Sequence, residues 1–411
     1  MWITILVSVI IATGIGLIFL FTRFQHFGIV RRIAGDRKWL RRLLGLIPIL
    51  VFIGFCFLDA INTIIVLLHV MIFWALAELG AFLWRRFVRH VRRNVKEDVP
   101  RNTEESCEAS EQGAEGSNAA ERRSEEERAA KDTYRPYRLG IGVLVFSAVY
   151  LCIGWYLAHH VWVTKYDLTT DKDLGQKPLT VVLFADSHMG TTFDGEGFAE
   201  QMKRIEAENP DVVVIAGDFV DDSTTKEDML RSVQALGEMK TTYGVYYSFG
   251  NHDKGYFRSR RFSFDEMTAE MEKYGIHVLL DEAELVADSL YIIGRRDKSV
   301  KERVSMEELV KPLDVSKYMI VLDHQPNDYA AEAAAGVDLV LSGHTHGGQL
   351  IPINRIGELI GANDRTYGLE ERDGTTFIVT SGISDWAIGF KTGTKSEYVV
   401  INIAGVDKRE D

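Results

Sequence analysis

Apolar residues gather into four long runs within the first 162 positions of the chain, then break into short runs separated by mixed segments. The long runs lie at 2–21, 43–58, 63–84 and 139–162. A helix needs about 20 mostly apolar residues to cross a bilayer, so the pattern predicts about four transmembrane helices. The second run is the shortest and contains Pro48, and only residues 59–62 part it from the third. These two are expected to form a tight helical hairpin. A cleaved signal peptide is the competing reading of the first run. It lacks a basic start and a clear small-residue cleavage site, which favours an anchor.

From about Tyr166 the apolar runs shorten to strand length. Residues 181–185, 212–216, 245–249, 319–322 and 339–341 are β-branched or aromatic and read as buried strands. Amphipathic segments at 198–208, 226–239 and 264–274 read as helices covering them. An α/β domain with helices outside packed sheets follows. The expected division is a membrane region with three helices at 1–94, an acidic linker at 95–137, a fourth membrane helix at 138–163 and a catalytic-type domain at 164–411. Residues 97–132, rich in Glu, Ser, Ala, Gly and Arg, hold almost no large apolar side chain. Such a stretch cannot bury enough surface to offset the entropy of ordering and is expected to act as a solvated tether.

Basic residues orient the spans. Arg23, Arg31, Arg32, Arg37, Lys38, Arg41 and Arg42 follow the first, Arg85, Arg86, Arg89, Arg92 and Arg93 follow the third, and Arg135 and Arg138 precede the fourth. The positive-inside rule puts all three groups in the cytoplasm, leaving the C-terminal domain extracytoplasmic. One run that failed to cross would turn the domain inward. His69 and Glu78 lie within the third run, where helix packing or an interfacial position is expected of them.

Composition narrows the function classes. The 411 residues are 46% hydrophobic and carry a net charge of -12, which argues against general or sequence-specific affinity for nucleic acid. Cys56, Cys107 and Cys152 all precede the C-terminal domain, so no thiolate site can form there. No feature specifies an oligomeric state.

Five short polar clusters follow the strand-like runs: Asp186-Ser187-His188, Gly217-Asp218-Phe219-Val220-Asp221, Gly250-Asn251-His252-Asp253, Asp323-His324 and Gly343-His344-Thr345-His346. Loops at the carboxyl edge of a sheet can aim such groups into one crevice while the strands hold them rigid. Carboxylate, amide and imidazole together are donors for hard or borderline cations. Any single histidine could be an ordinary core residue, but five of the eleven fall inside these clusters. Asp221 is expected to fix its loop or cap the next helix. Arg295 and Arg296, leaving another apolar run, are candidates to sit over a substrate phosphate, with a surface ion pair as the alternative.

This constellation resembles the calcineurin-like metallophosphoesterase superfamily over residues 179–403. The run Gly343-His344-Thr345-His346-Gly347-Gly348-Gln349, with Asp323-His324-Gln325-Pro326, is similar to its membrane-associated bacterial subgroup. The resemblance implies a four-layer α/β/β/α sandwich and two divalent metal ions, manganese, iron or zinc. Asp186, His188, Asp218 and His346 would hold one metal, and Asp218, Asn251, His324 and His344 the other. A hydroxide bridging them would attack phosphorus. His252 would then serve the leaving oxygen, with Asp253 orienting its ring. The stretch Ser381-Gly382-Ile383-Ser384-Asp385-Trp386 and residues 387–391 depart from the family's usual loop. The expected activity is hydrolysis of phosphomonoesters, phosphodiesters or pyrophosphates of an envelope or lipid-linked substrate at the membrane. A nucleotide phosphodiesterase and a metal-loaded membrane sensor without turnover are the alternatives.

Overall fold

Strand β2 (Leu179–Phe184) shows how the sequence builds the domain. Successive side chains of a strand point to opposite faces, and here both faces are apolar: Val181 and Leu183 enter one buried cluster, Val182 and Phe184 another. Such a strand must be covered on both sides. The computed structural model describes residues 2–97, 137–175, 177–256 and 259–406. The stretch 98–136, which holds nearly all of the expected acidic tether, lies outside them.

The chain divides into two units, Met1–Leu151 and Cys152–Asp411. In the second, β2 lies in a six-stranded sheet with β1 (Val161–Thr170), β3 (Val212–Ala216), β4 (Val245–Ser248), β5 (His277–Leu279) and β12 (Ser396–Gly405), ordered β1-β12-β2-β3-β4-β5. Strands β2 to β5 run parallel, and β12 pairs antiparallel with β2. The second sheet contains β6 (Glu282–Val286), β7 (Leu290–Gly294), β8 (Tyr318–Leu322), β9 (Leu339–Ser342), β10 (Gly368–Arg372) and β11 (Thr375–Val379), ordered β10-β11-β9-β8-β7-β6. Its four central strands are parallel and its two edges antiparallel.

Leu183, Val214, Ile320, Leu341 and Ile401 belong to the core shared by the two sheets. Helices Gly195–Glu206, Lys226–Gly237 and Phe264–Lys273 cover the first sheet through Phe198, Met202, Met229, Val233, Met267 and Met271. Asp194, Thr225 and Ser263 cap these helices, Ser263 in a reciprocal capping box with Glu266. Met306, Leu309, Tyr329 and Ala333 cover the second sheet. The result is the expected four-layer α/β/β/α sandwich.

The first unit holds helices Trp2–Phe24, Gly28–Ala34, Lys38–Gly45, Ile47–Cys56 and Ala60–Glu97. Four helical segments are long and apolar enough to cross a membrane: Val7–Phe24, Lys38–Cys56, Ala60–Val91 and Arg138–His159. The second is broken at Leu46, just before Pro48, and residues 57–59 turn it into the next helix, where the Asp59 carboxylate accepts the Asn62 amide at 3.0 Å. Glu78 pairs with Arg23 and accepts from the Tyr137 hydroxyl at 3.2 Å, so the acid inside the third span packs helices together. His69 bonds to the Ile65 carbonyl within its own helix.

One boundary differs from expectation. The fourth helix ends at His159, and strand β1 begins at Val161. Residues 161–163, expected within the span, instead open an edge strand paired parallel with β12 over ten residues. Its alternating half-exposed pattern, with Lys165 and Asp167 pointing out, weakens the apolar signal that marks the central strands.

Candidate metal centre

Every polar cluster leaves the carboxyl end of a parallel strand: Asp186 and His188 after β2, Asp218 after β3, Asn251 after β4, His324 after β8 and His344 and His346 after β9. Backbone bonds knit these loops together. Asp186 N–H donates to the Gly217 carbonyl (3.1 Å), His188 N–H to the Asp218 carbonyl (3.2 Å) and Gly343 N–H to the His324 carbonyl (3.0 Å). The approach is too close for side chains. A Cβ on Gly250 would lie 2.1 Å from Asp218 N.

The side chains form two groups, each able to offer ligand atoms within 4.8 Å of one another: Asp186, His188 and His346, and Asp218, His324 and His344. Asp218 Oδ2 stands 3.0 Å from His324 Nε2 and 3.7 Å from His188 Nε2, so it faces both groups. His346 Nε2 and His188 Nε2 are 3.8 and 4.0 Å from Asp186 Oδ1. Ligand atoms held at about 2.1 Å from an ion stand roughly 3–4 Å apart, which these separations match.

Tautomers and orientations are fixed from behind. The His324 Nδ1–H donates to the Ala216 carbonyl at 2.8 Å, turning Nε2 toward Asp218. Asn251 Nδ2 donates to the Tyr256 hydroxyl at 2.9 Å, leaving Oδ1 buried with no hydrogen-bond partner. His188 Nδ1 and Nε2 are likewise buried and unpartnered. Asp221 Oδ2 lies 3.9 Å behind His188 Nδ1, while its other oxygen accepts from Ser223, so Asp221 fixes its loop and faces a ligand from outside.

Electrostatics favour the same use. Burial pushes His188 down to about 3 and His344 down to about 4, and holds His346 well below its ordinary value. All three are neutral at pH 7 and keep a lone pair to donate. Burial alone would raise Asp218, but the neighbouring charge of His324 pulls it well below the usual carboxylate range. Burial opposes a charged His324, yet the Asp218 carboxylate raises it well above the ordinary imidazole value. A positive charge is therefore stabilised between these two groups, while burial, opposed by the charge of His324 and aided by the Asp218 carboxylate, lifts Asp186 to about 7. Unpartnered buried lone pairs facing carboxylates fit divalent cations.

Five of these residues adopt left-handed backbone: Asp186 (φ 54°), His188 (37°), Asp218 (52°), His344 (70°) and His346 (47°). Non-glycine residues held there cost on the order of 1–3 kcal/mol each and cluster where function demands the geometry. An extended backbone, in which residues two apart share a face, is not what brings the rings together. Strained turns do.

Two expectations are corrected, and Arg296 takes its stated alternative, an ion pair at the surface. Asp253 does not orient His252: its oxygens accept the amides of Asp218 (2.9 Å), Gly250 (2.8 Å) and Val220 (3.1 Å), so the acid pins the loops after β3 and β4 from a buried position. Arg295 is buried and tied to Asp323 (2.9 Å), Asp328 (2.8 Å) and Glu332 (3.3 Å), and Arg303 also reaches Asp323. It braces the strand end that carries His324 instead of reaching for phosphate. Arg296 is exposed and turned to the Leu280 carbonyl and Asp281. Replacing Arg295 by Met leaves buried carboxylates uncompensated and is expected to destabilise the domain by about 3–5 kcal/mol. Arg296→Ala is expected to change stability by no more than about 0.5 kcal/mol. Thermal unfolding of both full-length variants checks the contrast, and equal midpoints would contradict it.

The open side of the centre is aromatic. The half-buried His252 ring lies 4.9 Å from His188, 5.1 Å from Tyr256 and 5.1 Å from Trp386, and its backbone N–H donates to Asp218 Oδ1 at 2.8 Å. Trp386 comes from the loop after β11. Lys391, fully buried, closes that loop by donating to the carbonyls of Ser381 (2.8 Å) and Ser384 (3.0 Å). Tyr256 and Lys391 escaped sequence reading because nothing in their neighbours marks them.

Residues 179–348 match the family model for calcineurin-like phosphoesterase. The chain is 34% identical over 251 residues to an uncharacterized metallophosphoesterase of Aquifex aeolicus, covering 59% of this chain and 92% of that one. An uncharacterized metallophosphoesterase of Campylobacter jejuni is 29% identical over 235 residues, covering 56% and 60% respectively, so the chain spans three-fifths of that relative. A transmembrane protein with metallophosphoesterase domain from Danio rerio is 28% identical over 289 residues, covering 67% of this chain and 64% of its own length.

Proposed function

The chain belongs to the calcineurin-like metallophosphoesterase family, and on that footing we propose that it is a membrane-anchored phosphoesterase acting on an envelope or lipid-linked ester from the extracytoplasmic side. The observation that carries this reading is Asp218, whose carboxylate faces His188 and His324 at once and so joins two buried donor groups. Asp186, His188, Asp218 and His346 would hold one divalent ion, and Asp218, Asn251, His324 and His344 the other. Manganese, iron and zinc all suit such mixed donors. When bound, the pair supplies positive charge against phosphoryl oxygens and draws a nucleophile from water at neutral pH.

The chain's own groups do the rest. His252, on the open side of the centre, holds a proton for the leaving oxygen. Asp253 keeps Asp218 and Gly250 in register through backbone bonds, and Tyr256 keeps the Asn251 oxygen turned inward. The basic residues flanking the spans support an extracytoplasmic domain. A second reading, a nucleotide phosphodiester as substrate, is favoured by the rings of Tyr256 and Trp386 beside His252, which suit stacking of the flat base carried by the departing sugar alcohol.

The test uses the purified full chain, stripped by chelator and reloaded separately with manganese, iron or zinc. Hydrolysis of bis(p-nitrophenyl) phosphate is expected to vanish on stripping and return with metal. A screen of envelope lipids, wall-polymer fragments and sugar nucleotides then ranks substrates. A protein that takes up metal yet cleaves no ester in any form is a sensor, and the hydrolase reading fails.

A further inference from the structure

A dense run of exposed apolar side chains leaves the centre five residues after His346. Ile351, Ile353, Ile356, Leu359 and Ile360 are all exposed, Leu359 at 83% and Ile360 at 62%. A soluble surface rarely carries so many large apolar groups in ten residues, and such patches mark an interaction face. What covers this one can be read from its anchor.

The last two turns of the helix Arg138–His159, from Cys152 onward, belong to the same unit as the patch. Lys391 N–H donates to the Gly154 carbonyl at 3.0 Å, and Ile351 N–H donates to the Thr392 hydroxyl at 3.1 Å. Thr392 can approach because Gly154 has no Cβ; one built there would lie 2.9 Å from the threonine methyl. The apolar run thus begins within two hydrogen bonds of a helix that is long and apolar enough to span a membrane. Twenty-two residues make about 33 Å, close to the hydrocarbon thickness. Gly154 stands five residues, roughly 7–8 Å, inside the end of that helix. Exposed Trp155 and Tyr156 beside it are residues suited to the headgroup level.

We infer that the segment 350–360 is seated in the bilayer interface and holds the mouth of the metal centre against the lipid surface. The partner is the membrane that the helix itself crosses. The consequence for substrate, a phosphate ester presented by a lipid, rests on the hydrolase reading. The seating does not.

Two measurements on the full chain in lipid nanodiscs separate these parts. In the first, Leu359→Cys is labelled with an environment-sensitive fluorophore after Cys56, Cys107 and Cys152 are changed to Ala. Lipids bearing nitroxides are expected to quench it as strongly as a label at Ile153→Cys on the helix. A label at Val315→Cys, exposed before β8 and so at the opposite end of the strands, is expected to stay bright. Equal brightness at 359 and 315 overturns the seating, whether water or a second protein copy covers the patch.

In the second, Leu359→Asp with Ile360→Asp is expected to lower cleavage of a lipid-borne phosphoester roughly tenfold or more. Water-soluble bis(p-nitrophenyl) phosphate should be cleaved at the wild-type rate. Equal losses on both esters, or no loss on either, overturn the presentation role. A wild-type chain that cleaves neither ester sinks the hydrolase reading alone, because the quenching result is independent of turnover.

Discussion

Replacing Asp218 with Asn is expected to abolish turnover and release metal in one step. The substitution keeps the volume and one oxygen but removes the negative charge that faces His188 and His324 at 3.7 and 3.0 Å. A metal pair acting on a phosphoryl group is worth several kcal/mol of barrier, which corresponds to on the order of 10³-fold or more in rate. Metal analysis of the purified variant should show fewer ions per chain than wild type. The fold should persist, because the loops remain fastened by Asp253 and by the Asp186 and His188 amides. A variant that retains both ions and half its rate would show that Asp218 is an ordinary core acid.

Replacing His252 with Ala is expected to separate chemistry from metal binding. Its ring is in neither donor group, and only its backbone amide touches Asp218. Loss of a positioned proton donor typically lowers rate by about 10²–10⁴. The loss should depend on the leaving group. An alkyl alkoxide needs the proton and should suffer most, whereas p-nitrophenolate leaves unaided and should suffer least. Metal content should stay at the wild-type level. Equal losses on both esters, or departure of metal, would place His252 in the cage and not beside it.

The parts of this architecture that obey simple periodicity were legible in the chain. Val212 to Ala216 read as a buried strand and forms one, and each chemical cluster stands at the strand end where it was expected. The four helices long and apolar enough to cross a membrane were legible for the same reason, since length and apolarity define them. Features that depend on partners distant in sequence were not. Arg295 follows an apolar strand much as a phosphate-binding arginine would, and only folding shows that Asp323, Asp328 and Glu332 converge on it. Asp253 adjoins His252 in sequence, yet a tight turn sends its carboxylate back under Gly250 and Asp218. The left-handed turns at Asp186, His188, Asp218, His344 and His346 leave no mark in residue type, because the surrounding loops impose the backbone. Strand β1 was hidden by its half-exposed edge position beside β12.

The metal centre and the apolar segment that follows it are also joined through their loops. Gln349 follows the last ligand cluster and accepts through its carbonyl from Thr392 (2.8 Å) and Gly393 (3.0 Å), while its side chain donates to the Ile388 carbonyl at 2.7 Å. The loop bearing Trp386 and the apolar segment are thereby clamped to one another beside the cage. The loop at residues 381–391 brings Trp386 beside His252 without entering either donor group.

The central claim is that Asp218 joins two cation sites. It is tested most directly by anomalous diffraction from crystals of the full chain grown with manganese. The account predicts two peaks about 3.5–4 Å apart, one beside Asp186, His188 and His346, the other beside Asn251, His324 and His344, with Asp218 touching both. A single peak, or two that do not share Asp218, would contradict it.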